Sequence, residues 1–157
     1  MSGGHPLVDA DRWEWLDRII STSRDLESSQ RPSGIVVTCS SLKKVYRDRM
    51  RKRIEEFRTV GSKLREWFIF CNLTKEESLR RTEARQGHYM KANMVESQFL
   101  DLEVPVPSEE ERVFVLNVER RKEDVNHDAI EFVKGCVSEE GQEEERDVEQ
   151  EVSALRV

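Results

Sequence analysis

Apolar, β-branched and aromatic residues of this chain crowd into three short runs, Ile35–Cys39, Trp67–Leu73 and Arg112–Val118. Each has the length of a buried strand, and the stretches between them carry helical spacing. Strands separated by that much helix cannot pair as tight hairpins, because a short turn joins only antiparallel neighbours. The pattern therefore predicts an α/β fold, a parallel sheet with helical crossovers. Three strands are few for such a sheet, so one of its edges is expected to lack a neighbour.

The helices follow from local signals. Leu16, Ile19 and Ile20 recur at helical spacing, with Asp9 or Asp11 as cap and Trp13 and Trp15 expected in the core. Gln30 to Gly34 reads as a turn into the first run, and Ser40-Ser41 as the start of a long basic helix from Leu42 to about Arg58, closed by Gly61. Thr74 with Glu77 three residues on forms the capping-box signature of a helix ending near Gly87. Another spans about Asn93 to Leu102 and is stopped by Pro105 and Pro107. A final helix is predicted from Asn126 to Val137.

Charge divides the chain in two. Residues 138–157 hold eight acidic and two basic side chains, and removing them from the totals of 32 and 26 leaves 24 of each sign in residues 1–137. The sequence thus predicts one α/β domain over 1–137 and an acidic segment over 138–157, disordered or a frayed helix. No apolar stretch is long enough to span a membrane, and the first fifteen residues lack a secretory leader's basic start and apolar core, so a cytoplasmic protein is expected. Cys39, Cys71 and Cys136 are widely spaced, without a C-x-x-C pair, and read as buried free thiols rather than metal ligands.

Four patterns bear on chemistry. Gly4 to Leu16 is a turn feeding a helix with early carboxylates, and its plainest reading is an ordinary capped helix. In Cys39-Ser40-Ser41-Leu42-Lys43-Lys44-Val45-Tyr46-Arg47-Asp48, two hydroxyls stand where a strand gives way to a helix, with Lys43, Lys44 and Arg47 just beyond. Cations at a helix start oppose its dipole, so an anionic ligand weighs as much there as a solvated basic face. Arg81 and Arg85 are four apart on one helix face, suited to clamping phosphate but equally to solubility. His88 follows them after Gly87. In Ser97 to Pro105, Phe99 and Leu102 read as core, while Gln98 and Glu103 are free to face a cleft.

In this order the four patterns resemble the gluconokinase family of small P-loop kinases. The phrases that carry the likeness are Pro6-Leu7, Asp9, Asp11-Arg12 and Trp15-Leu16; Cys39-Ser40, Leu42-Lys43, Tyr46-Arg47-Asp48 and Met50-Arg51; Arg81, Arg85 and Gly87-His88; and Ser97-Gln98-Phe99, Leu102-Glu103 and Pro105. The resemblance implies a nucleoside-monophosphate-kinase-like fold that transfers the γ-phosphoryl of ATP, with Mg2+, to the 6-hydroxyl of D-gluconate. It implies substrate-binding roles for Ser40, Lys43, Arg47, His88 and Gln98. It also implies a lid over about residues 74–104, with Arg81 and Arg85 neutralising the phosphoryl in transfer.

One departure is large. No G-x-x-x-x-G-K-[ST] occurs in the 157 residues, and Gly3-Gly4 is the only glycine pair. In the family that loop holds the phosphates of ATP, so ATP and Mg2+ binding by this chain is placed in doubt. The expectation is a chain lacking the family's first strand and phosphate-binding loop, inactive by itself, with exposed sheet edges and weak solubility. The alternative is a pseudoenzyme or regulatory protein that binds a sugar acid or a partner without phosphoryl transfer. A nucleic-acid role for the basic stripe Leu42 to Arg58, eight basic against three acidic residues, is the weakest reading, since Tyr46 and Phe57 are its only aromatics. Nucleotide preference and homo-oligomerisation are left open.

Overall fold

Residues 9–84 and 92–154 are described by a computed structural model, in which two parallel strands and five helices form two units. One unit comprises the chain up to Glu66 together with Thr74–Glu111; the other comprises Trp67–Leu73 and the chain from Arg112 onward.

The first unit is built on two long helices, α1 (Asp9–Gln30) and α2 (Lys44–Arg58). Their partners advance together. Asp9 meets Lys43 and Tyr46, Asp17 meets Arg49, and Glu27 meets Ser62 just past the end of α2. The helices therefore run side by side in the same direction. Leu16, Ile20, Tyr46, Met50 and Ile54 are buried, at the i, i+4 spacing that places them on one stripe of each helix. Trp13 packs edge-on against Tyr46, with ring centroids 5.4 Å apart. Trp15, expected in the core, is 44% exposed, because the buried stripe runs through Leu16 and Ile20 and leaves position 15 on the outer face.

Parallel helices oblige the chain to return along their length. Twenty-two residues of α1 span about 33 Å, and the link of residues 31–43 can cover that only if mostly extended. This explains a difference from the sequence reading: Ile35–Cys39 is not a strand. Among the described residues it forms no backbone hydrogen bond, and Val36 stands 93% exposed. Its β-branched composition suits extended backbone, but a strand exists only when a neighbour pairs its N–H and C=O groups.

Both long helices end in left-handed backbone. Gly61 (φ 93°) closes α2 in a Schellman arrangement, with Ser62 N–H on Phe57 O and Gly61 N–H on Arg58 O, each 3.1 Å. Arg31, at the end of α1, takes a φ of 47°, and Pro32 follows it. Two further helices, α3 (Lys75–Glu83) and α4 (Ala92–Asp101), pack on each other, tied by Lys75 to Glu96 at 3.2 Å. Thr74 caps α3 as its sequence signature predicts, its hydroxyl accepting from Glu77 N–H.

In the second unit β1 (Phe68–Asn72) pairs in parallel with β2 (Val113–Asn117), Phe68 opposite Val113 and Asn72 opposite Asn117. Residues 73–112 form the crossover that a parallel pair requires. Helix α5 (Lys122–Ala154) packs on β2, where Phe132 stacks on Phe114 with centroids 4.6 Å apart. α5 continues well past Val137, through the acidic segment, as a Glu- and Gln-rich stretch without proline permits. Cys136 is buried, but Cys71 is exposed at the end of β1, contrary to the expectation of three buried thiols. All three cysteines are free.

Candidate functional site

The turn that enters α2 is the most heavily cross-braced part of the first unit. α2 begins at Lys44, not at the Ser40-Ser41 hydroxyls, and its N-cap, Lys43, offers no side-chain acceptor. The cap comes from a distance: the Glu103 carboxylate accepts from Lys44 N–H at 2.6 Å, while Glu103 N–H donates to Leu42 O at 2.9 Å. A carboxylate at that point satisfies an otherwise orphaned donor and meets the positive end of the helix. Ser41 instead lies 3.1 Å from Cys39 Sγ and donates to Met50 Sδ.

Lys43 is held between two acids, with Nζ 2.8 Å from Asp9 and 3.6 Å from Asp101 at the end of α4. Asp9 accepts from the Tyr46 hydroxyl as well, at 2.5 Å. The Lys43 hydrogen bond, and then that of Tyr46, hold the Asp9 carboxyl below its ordinary range, and the same bond to Asp9 raises Lys43. Burial first, then the bond to Asp9, pushes the Tyr46 phenol up. The first, second and fourth sequence patterns therefore converge: Asp9, the 41–47 turn and the 101–103 end of α4.

Arg47 lies beneath this turn, with a side chain 3% exposed. Its Nε and one Nη2 hydrogen grip Glu110 bidentately, at 2.8 and 2.6 Å. Its Nη1 donates to Ser41 O and Leu42 O, and its Nη2 also to Glu103 O. All five donors of the guanidinium are thus engaged within the unit. The resemblance implies that Arg47 faces a substrate; in this arrangement it braces the turn from below. Glu110, 4% exposed, also accepts from Arg51, and the Arg47 hydrogen bond holds its carboxyl below the ordinary range despite burial.

The other sequence-predicted residues fare differently. Ser40 is exposed and Gln98 half-buried, and among the described residues neither makes a side-chain hydrogen bond. Arg81 pairs with Glu77 at 2.6 Å on its own helix, and Glu77 also grips Arg80. These two partners, Arg80 foremost, pull the half-buried Glu77 carboxyl down to about 2. Arg85 and His88 lie outside the described residues. Among the described residues no group of three or more His, Cys, Asp or Glu side chains could hold a metal ion. The basic stripe of α2 is largely spoken for: Lys44 and Arg51 pair with Asp48, Arg49 with Asp17, Arg53 with Glu56 and Arg58 with Glu55.

Glu110 and Asp101 escaped the sequence reading. Glu110 sits in the run Ser108-Glu109-Glu110-Glu111-Arg112, where nothing local separates a buried acid from two exposed neighbours.

No family model matches the sequence. The chain is 39% identical over 142 residues to a probable gluconokinase of Schizosaccharomyces pombe, covering 90% of this chain and 70% of that protein. It is 38% identical over 138 residues to a probable gluconokinase of Saccharomyces cerevisiae, covering 87% and 68%. Among solved structures, that of a gluconokinase from Sinorhizobium meliloti superposes with a TM-score of 0.64 at 27% identity, over 88% of this chain and 70% of that one.

Proposed function

The chain belongs to the gluconokinase family, and from that premise we propose that residues 40–47, Gln98 and the end of α4 form the acceptor side of a site for phosphorylating D-gluconate. The observation that carries the reading is the convergence of Lys43, Asp101 and Glu103 on the turn that Arg47 braces. Lys43 is partly open to water at that turn, its side chain 23% exposed. It is placed to exchange Asp9 or Asp101 for the carboxylate of a sugar acid, while Ser40 and Gln98 offer uncommitted hydrogen-bonding groups for hydroxyls. In this proposal Arg81, Arg85 and His88 belong to a lid, where Arg81 meets an anionic phosphoryl group on release from Glu77.

The residues present do not fit a nucleoside triphosphate with its Mg2+. The Gly-rich cradle of backbone N–H groups and its lysine are not among the 157 residues, and among those described no acidic cluster suits a metal. The family's donor is ATP, and no step through it is derived from this chain. That same observation favours the second reading, a protein that binds a sugar acid without transferring phosphate.

Titrating the 157-residue chain with D-gluconate by calorimetry, beside a coupled assay with ATP and gluconate, separates these possibilities. Gluconate binding without turnover is expected. Lys43→Ala should weaken binding at least tenfold, and loss of no affinity on that substitution would remove the acceptor-site reading.

A further inference from the structure

We infer that Glu110 is a positioning residue for the acceptor turn: through Arg47 it fixes the backbone of residues 41–44 on which a sugar acid would rest. The substrate part of this inference depends on the function proposed above; the ordering of the turn does not. A guanidinium has a rigid plane, and gripping two of its donors bidentately leaves the direction of the other three no freedom. Glu110 supplies that grip at 2.8 and 2.6 Å, and the three remaining donors meet the carbonyls of Ser41, Leu42 and Glu103. Glu103, so anchored, turns its own carboxylate onto Lys44 N–H and starts α2.

The path from Glu110 to the turn is therefore continuous: carboxylate, guanidinium, three carbonyls, helix cap. Arg51 adds a second cation at 3.3 Å, on the Glu110 oxygen that Arg47 Nε already holds. With Glu110 and Arg47 at 4% and 3% exposure, neither charge can turn to water if the other is removed. A solvated surface pair of the same geometry would exert no such hold.

The test is Glu110→Gln in the 157-residue chain, which preserves shape and removes the charge. Amide hydrogen exchange is followed by NMR and gluconate affinity by calorimetry. Exchange at the Lys44 and Glu103 amides is expected to accelerate at least tenfold while Phe70 in β1 stays protected, and the Kd for gluconate to rise about tenfold. Asp17→Asn, which breaks the exposed pair with Arg49 on the same helix, should leave both amides and the Kd unchanged. Were Glu110→Gln to leave the two amides protected, or to accelerate every amide alike, the inference would be overturned. Should Glu110→Gln fail to fold, Arg47→Lys asks the same question, because an ammonium cannot hold a carboxylate and three carbonyls at once. The two substitutions combined should do no more than either alone. Absence of gluconate binding by the unsubstituted chain would overturn the proposed function and the substrate part of this inference, and exchange would then decide whether Glu110 orders the turn.

Discussion

At the scale of single residues, two carboxyls report on the arrangement through their titration. Glu77 is drawn down to about 2 by Arg80 and Arg81. Its contribution is complete above the ordinary glutamate range, near 4.5, and is lost as pH falls through about 2. Carbon-detected NMR should find its midpoint at least a full unit below the ordinary glutamate value near 4.5, and a midpoint near 4.5 would mean that neither Arg80 nor Arg81 holds the carboxylate. The Asp9 carboxyl, beside the turn that enters α2, is likewise held below its ordinary range. Replacing Tyr46 with Phe removes one of its two donors, so the Asp9 midpoint should move upward, toward its ordinary value, while the Lys43 bond keeps it somewhat depressed.

The elements themselves show where sequence suffices. The Thr74 cap, the Gly61 terminus, β1, β2 and the bounds of α4 were legible because each rests on neighbours in the chain. Ile35–Cys39 misled because strand composition specifies extended backbone, whereas pairing depends on what lies alongside. The start of α2 misled for a related reason: a residue 59 positions away supplies its cap, which no local pattern announces. At the site, Lys43 and Arg47 were recognised as unusual cations, but only the fold reveals that one is partly open to water and the other a buried brace. Two helix ends invite a paired test by thermal melting. Gly61→Ala should cost about 1 kcal/mol, since any Cβ is strained in left-handed backbone, and Arg31→Gly should gain up to about 1 kcal/mol by relieving that strain.

For the whole molecule, ion pairing along α2 bears on partners. Because most of the stripe's cations already face carboxylates, mobility-shift titrations should detect no binding to single- or double-stranded nucleic acid near 0.15 M salt. A clear shift would mean that those pairs open readily. Apolar side chains meet water at several places, with Val36 93% exposed and, on α5, Ile130, Val133 and Val137 about half so. A dye specific for exposed apolar surface should therefore fluoresce with the folded chain under native conditions.

The parallel course of α1 and α2 has a kinetic consequence. Their rungs join residues at nearly constant separation, 34 for Asp9 with Lys43, 32 for Asp17 with Arg49 and 35 for Glu27 with Ser62. Whichever rung forms first bears the entropy of closing a long loop, and the others then close with little further loss, like teeth of a zip. Doubling the intervening loop would add only about 0.6 kcal/mol to that first closure. A flexible insertion after Gly34 should thus slow assembly of the pair by roughly threefold and leave its register untouched, because the teeth, not the thread between them, set which residues meet.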